Sequence, residues 1–107
     1  FFDARLAYAK KSKETAVEEF IESRQRLASG IELTYYLPKR AIEPGDTVLV
    51  VDDLIRSGET QELLLDIALQ ADANVGGVFT LIAVGDEGMR RAREITDAPV
   101  GTLTTFE

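Results

Sequence analysis

Asp52 and Asp53 stand side by side where the aliphatic run Val48-Leu49-Val50-Val51 gives way to the small polar segment Arg56-Ser57-Gly58-Glu59-Thr60. An apolar run of that length reads as a buried strand, and such a strand delivers the acids to its carboxyl end. In an open α/β sheet that end is where ligands bind. A loop opening into a helix there presents backbone N–H groups and the positive end of a helix dipole, which suits a phosphate. Ionised carboxylates accept hydrogen bonds from adjacent hydroxyls, which suits a ribose. Together these residue types describe a sugar-phosphate site, with Asp52 and Asp53 as candidate catalytic residues and residues 56–60 as the phosphate loop.

A purely structural reading covers part of the pattern. Ser57 or Thr60 can serve as the N-cap of the following helix, and Glu59 favours its dipole without any ligand. The paired acids resist that reading. Neighbouring strand residues point to opposite faces, so at least one of them lies towards a covering helix. A buried, unpaired carboxylate costs several kcal/mol, more than the ~1 kcal/mol that a cap contributes.

The elements around the pair must put it at a sheet edge. Arg5 to Ala9 alternates weakly and reads as a short strand, followed at once by Lys10, Lys11 and Lys13. Val17, Phe20, Ile21 and Leu27 have near-helical spacing, which predicts a helix over Glu14 to Arg26 that Ser29-Gly30 breaks. Ile31 to Leu37 is β-branched and aromatic, hence a strand, and Pro38 stops it. Tyr35 and Tyr36 on that strand read as core packing. Glu43-Pro44-Gly45-Asp46 is a turn. Leu63, Leu64, Ile67, Ala68 and Ala71 make one apolar face of a helix over Glu59 to Ala71, and Asn74 suits a left-handed C-cap. Gly77 to Val84 is a buried strand and Glu87 to Ile95 a short helix, whose Arg90, Arg91 and Arg93 read as a solvated face. Val100 to Thr105 is a final strand. Strands and helices alternating over short links predict a three-layer α/β fold with a largely parallel sheet.

Composition narrows the chemistry. The 107 residues form one domain, 1–107. With 12 basic against 19 acidic residues the formal net charge is −7, a poor match to direct nucleic-acid binding. The chain has no Cys and no His, which excludes disulfides, Cys-ligated clusters, a Ser-His-Asp triad and His-based metal sites within it. Any metal is then a hard ion held by oxygens, such as Mg²⁺. No apolar run approaches the roughly 18 residues of a membrane span, so no membrane partner and a cytoplasmic setting are expected. The chain starts at Phe1 and enters a strand-like segment at once, which predicts that a larger domain's N-terminal part precedes it.

The stretch from Val48 to Thr60 resembles the PRPP-binding signature of the type I phosphoribosyltransferases, a hydrophobic strand, two acids, two aliphatics and a small Ser/Thr/Gly loop. The resemblance implies that Asp52 and Asp53 bind the ribose hydroxyls of phosphoribosyl pyrophosphate and that Arg56, Ser57, Gly58, Glu59 and Thr60 hold its 5′-phosphate. It implies pyrophosphate contacts from Lys10, Lys11 and Lys13, Mg²⁺ bound with PRPP, a nucleobase as second substrate, and a homodimer. Segment 10–38 then corresponds to the family's flexible active-site loop. Leu37 to Gly45 is similar to the approach to this signature in the purine-operon repressor and the xanthine and adenine branches.

Some positions depart from the family pattern. Glu59 stands where Gly, Thr or Lys is usual, and Arg56 stands where enzymes acting on 6-oxopurines carry an Asp. Ala28-Ser29-Gly30 lacks the acid that adenine enzymes place before a Tyr-Gly pair. Two functions follow from the resemblance: transfer of ribose 5-phosphate from PRPP to a base, expected to be a purine, or regulatory PRPP binding without turnover, as in a repressor.

Overall fold

The computed structural model describes residues 6–13, 19–27 and 29–107. The regular elements are β1 (Phe20–Arg26), β2 (Glu32–Pro38), a 3-10 turn (Lys39–Ala41), β3 (Thr47–Ile55), α1 (Glu59–Gln70), β4 (Asn74–Val84), α2 (Glu87–Ile95) and β5 (Val100–Phe106). β3, β4 and β5 lie in that order in one sheet, every pair parallel, with Val50 opposite Val78 and Val78 opposite Val100. β1 and β2 form a separate antiparallel hairpin.

Each parallel step needs a crossover, and right-handed crossovers taken in one direction put both helices on one face of the sheet. Leu65 of α1 closes over Val50 and Val78, and Met89 and Ala92 of α2 close over Ile55 and Ala83. The apolar face expected of α1 is correct in substance, with Leu63, Ile67 and Ala68 all buried. The α/β class and parallel sheet are those expected. The described residues supply two layers of it, and the shortest dimension is 20 Å, the thickness of one sheet and one helical layer. The sheet's other face carries Leu49, Val51, Leu81 and Leu103, all exposed.

Three expectations need correction. Phe20–Arg26 is a strand where a helix was expected, while residues 14–18 of that expected helix lie outside the described residues. Its burial has period two around buried Ser23 and half-buried Gln25, and pairing along the whole of β2 outweighs the helical spacing of four apolar residues. Residues 6–9 form no strand; only Lys10 pairs, in an isolated bridge to Tyr36, and Arg5 lies outside the described residues. Asp72, at φ 56°, takes the left-handed position after α1, and Asn74 instead opens β4.

The Pro44-Gly45 turn forms as expected. Gly45 adopts φ +88°, and its N–H donates to the Asp72 carbonyl at 2.9 Å, joining this turn to the one that ends α1.

The hairpin lies along the side of α1. Ser23 Oγ donates to Asp66 at 2.7 Å, Gln25 Nε2 to Glu62 at 3.1 Å, and Gln70 Nε2 to the Glu22 carbonyl at 2.8 Å. Those partners rise and fall in opposite senses along the two elements, so β1 runs antiparallel to α1 and its tip points towards the helix N-terminus.

Candidate functional site

β3 carries Asp52 and Asp53 near its carboxyl end, as its alternation requires. Asp52 is half-buried beneath α1, whereas Asp53 is exposed. Both oxygens of Asp52 are engaged: Oδ1 accepts the backbone N–H of Asp53 at 2.8 Å, and Oδ2 accepts Nε2 of Gln61 at 3.0 Å. Burial pushes the Asp52 carboxyl above the ordinary carboxylate range; the Asp53 backbone N–H opposes that rise, and the Asp53 side chain adds to it.

The chain then turns into α1 through Arg56, Ser57 and Gly58. Gly58, not Ser57 or Thr60, is the N-cap, at φ 87° and with no side-chain cap hydrogen bond. A side chain is excluded there twice over. The backbone is left-handed, and a Cβ would lie 3.1 Å from the Gly88 carbonyl and 3.3 Å from Arg91 Cδ. The first intrahelical bond runs from Glu62 N–H to the Gly58 carbonyl at 2.9 Å. The N–H groups of Glu59, Thr60 and Gln61 precede it and have no helical acceptor, as at any helix start. Ser57, Glu59 and Thr60 are half-buried around them, and Arg56 is exposed.

Thus the structure brings Asp52, Asp53 and residues 56–60 together at one sheet edge. It does not bring the lysines there. Lys10 exchanges backbone bonds with Tyr36 at 2.9 and 2.7 Å, and Tyr36 pairs with Glu22, the residue held by Gln70 at the far end of α1. The helix from Glu59 to Gln70 separates the two groups by about 16 Å along its axis. Lys13 lies over the rings of Phe20 and Tyr36, 6.0 and 5.4 Å from their centroids, and Lys11 is exposed. Tyr36 meets Phe20 edge to face at 6.1 Å, and both tyrosines are half-buried.

Two residues of this region were not singled out by sequence reasoning. Gln61 is 1% exposed, and its amide reaches both Asp52 and the Leu54 carbonyl, the latter at 3.1 Å. Gly88, buried in the first turn of α2, lets that turn meet the phosphate loop; a Cβ there would fall 2.6 Å from Ile55 Cγ1 and 2.7 Å from the Arg56 carbonyl. A glycine inside a predicted helix is the signal that could have found it. Arg91 also departs from the solvated face expected of it, since it pairs with Glu62 and joins α2 to α1.

A cleft of about 720 Å³ lies elsewhere, between β1, α1 and the loop before β5, with Arg24, Asp66 and Asp97 in its wall. None of Asp52, Asp53 or residues 56–60 lines it. Among the described residues no group of three or more acidic side chains converges as a metal site, and no helix is long and apolar enough to cross a membrane.

Comparison with known proteins bears on this geometry. No protein-family model matches the chain. An adenine phosphoribosyltransferase of Brucella anthropi is 39% identical over 67 residues, 63% of this chain and 37% of that protein. The crystal structure of adenine phosphoribosyltransferase from Rhodothermus marinus superposes with a TM-score of 0.70 at 29% identity, over 82% of this chain and 49% of that one. Over these stretches the chain is similar to adenine phosphoribosyltransferases in both sequence and fold. The Saccharomyces cerevisiae adenine phosphoribosyltransferase, complexed with an imino-altritol bisphosphate and adenine, matches with a TM-score of 0.68 at 26% identity, over 80% of this chain and 47% of that one. The matched part is thus about half the length of these solved relatives, and less of the Brucella protein.

Proposed function

We propose that this chain forms the PRPP-binding part of a phosphoribosyltransferase, which transfers ribose 5-phosphate from PRPP to a nitrogenous base in purine salvage. The observation that carries the reading is the acid pair at the end of β3, followed directly by the α1 N-terminus without a side-chain cap. In this reading Asp52 and Asp53 accept the ribose hydroxyls. The N–H groups of residues 59–61 hold the 5′-phosphate, with the Ser57 and Thr60 hydroxyls beside it. The base nitrogen bonds to the anomeric carbon as the bond from that carbon to pyrophosphate breaks; the electron pair of the broken bond leaves on the pyrophosphate oxygen, and the proton of the base nitrogen is released to solvent. Positive charge develops on the sugar in between, and two carboxylates held near the ring favour it.

The named relatives are enzymes of adenine, which makes adenine the first base to try. Mg²⁺ would enter with PRPP as a hard ion held by the oxygens of that substrate, and would offset the charge of the leaving pyrophosphate. A pyrophosphate role for Lys10, Lys11 and Lys13 rests on the resemblance and requires the hairpin to move towards the loop. A cytoplasmic homodimer belongs to the same reading. The test is pyrophosphate release from PRPP and Mg²⁺ on adding adenine, hypoxanthine or xanthine. Release with one base supports the enzyme, whereas PRPP binding with no release under any base supports a sensor.

A further inference from the structure

Gln61 is a deeply buried polar side chain beside the acid pair, 1% exposed in the first turn of α1. Burying a primary amide is costly unless its donors are used, and here they are: Nε2 lies 3.1 Å from the Leu54 carbonyl and 3.0 Å from Asp52 Oδ2. The bond to Leu54 alone would tie helix to strand. The bond to Asp52 adds something a structural tie does not need, because it ends on an ionisable group at the candidate ribose site.

Each oxygen of a carboxylate has two acceptor positions. In Asp52 one position on Oδ1 is taken by the Asp53 backbone N–H and one on Oδ2 by Gln61. We propose that Gln61 is a positioning residue for the ribose-binding acid: its amide fixes the plane of the Asp52 carboxylate and leaves one acceptor position on each oxygen for a sugar hydroxyl. The proposal rests on the sugar-phosphate reading of the site and adds to it a residue outside the loop and the acid pair. A donor to a carboxylate favours its ionised form, so removing the Gln61 amide bond is expected to disfavour ionisation of Asp52.

The test uses Gln61→Met, which keeps length and apolar bulk but removes the donor, with ribose 5-phosphate and inorganic phosphate as calorimetric probes. Expected is a loss of about tenfold in ribose 5-phosphate affinity, the size of one charge-assisted hydrogen bond. The acid limb of ribose 5-phosphate binding is expected to move up by about one pH unit, while inorganic phosphate binds as before. Unchanged ribose 5-phosphate affinity and an unchanged acid limb overturn the role of Gln61. Equal losses for both probes also overturn it, since they mean a displaced loop. If wild-type protein binds no ribose 5-phosphate, the site reading itself has failed. Should Gln61→Met not fold, the wild type decides by NMR. The Gln61 side-chain amide signals are expected to shift on adding ribose 5-phosphate and to titrate in step with the Asp52 carboxyl. Signals that respond to neither overturn the proposal.

Discussion

Asp52 is subject to opposed demands. Binding hydroxyls asks for the ionised carboxylate, while burial under α1 raises its pKa. Between the ordinary carboxylate pKa and this raised value the folded chain holds more protons at Asp52 than the unfolded chain. The stability this group contributes is therefore full at low pH and is lost as pH rises through the folded pKa. Ligand binding runs the other way. Ribose 5-phosphate affinity is expected to fall on acidification at a higher pH than an ordinary carboxylate would give, and Asp52→Asn is expected to abolish that limb. Asp52→Asn and Asp53→Asn are each expected to weaken ribose 5-phosphate binding about tenfold or more with the fold retained, as circular dichroism would report. Glu59, half-buried beside the loop, opposes an anion there; Glu59→Gln is expected to tighten phosphate binding about threefold by calorimetry. The acid pair and loop were legible in sequence because strand, acids and small residues are contiguous. Gln61 was not, because nothing in the sequence says which helix residue turns inward beside Asp52.

At the scale of elements, local patterns carried the parallel half of the molecule and failed on the hairpin. The helix α1 was legible from its apolar face, and the strands β3 and β4 from apolar runs beside Gly, Pro and Asp. β1 was not: the polar, Glu-rich stretch from Glu14 to Arg26 in which it lies reads as helix until the complete pairing with β2 is known, and that pairing is a contact between distant positions. The lysine cluster was legible as charge but not as location, since the hairpin register places Lys10 at the end away from the loop. Asp66 holds the hairpin by accepting from both Ser23 and Gln70. Asp66→Ala is expected to cost about 1–2 kcal/mol and to speed amide exchange in β1 more than in β4. The contact between α2 and the phosphate loop leaves no room for a Cβ at Gly88. Gly88→Ala is expected to lower stability by about 1–3 kcal/mol in urea denaturation and to weaken phosphate binding through the displaced loop.

The described residues form a parallel sheet with helices on one face, a hairpin beside α1, an apolar face that none of them covers, and the candidate site at one edge. Leu49, Val51, Leu81 and Leu103 lie on the open face with exposures from 47% to 73%, an apolar surface of the kind that attracts partners or dyes. The isolated chain is expected to bind the dye ANS, and Leu81→Lys with Leu103→Glu is expected to reduce its fluorescence while leaving ribose 5-phosphate binding intact. The sequence left this face hidden, because the strands that cover it on one side and expose it on the other read alike as apolar runs. The central claim, that the end of β3 and the start of α1 form a sugar-phosphate site, is tested most directly by titrating PRPP with Mg²⁺ and ribose 5-phosphate into wild-type and Asp52→Asn/Asp53→Asn protein. Saturable binding of both ligands to the wild type, at least tenfold weaker in the folded double variant, is the expected result. Binding that is absent from the wild type, or equal in the two proteins, would contradict it.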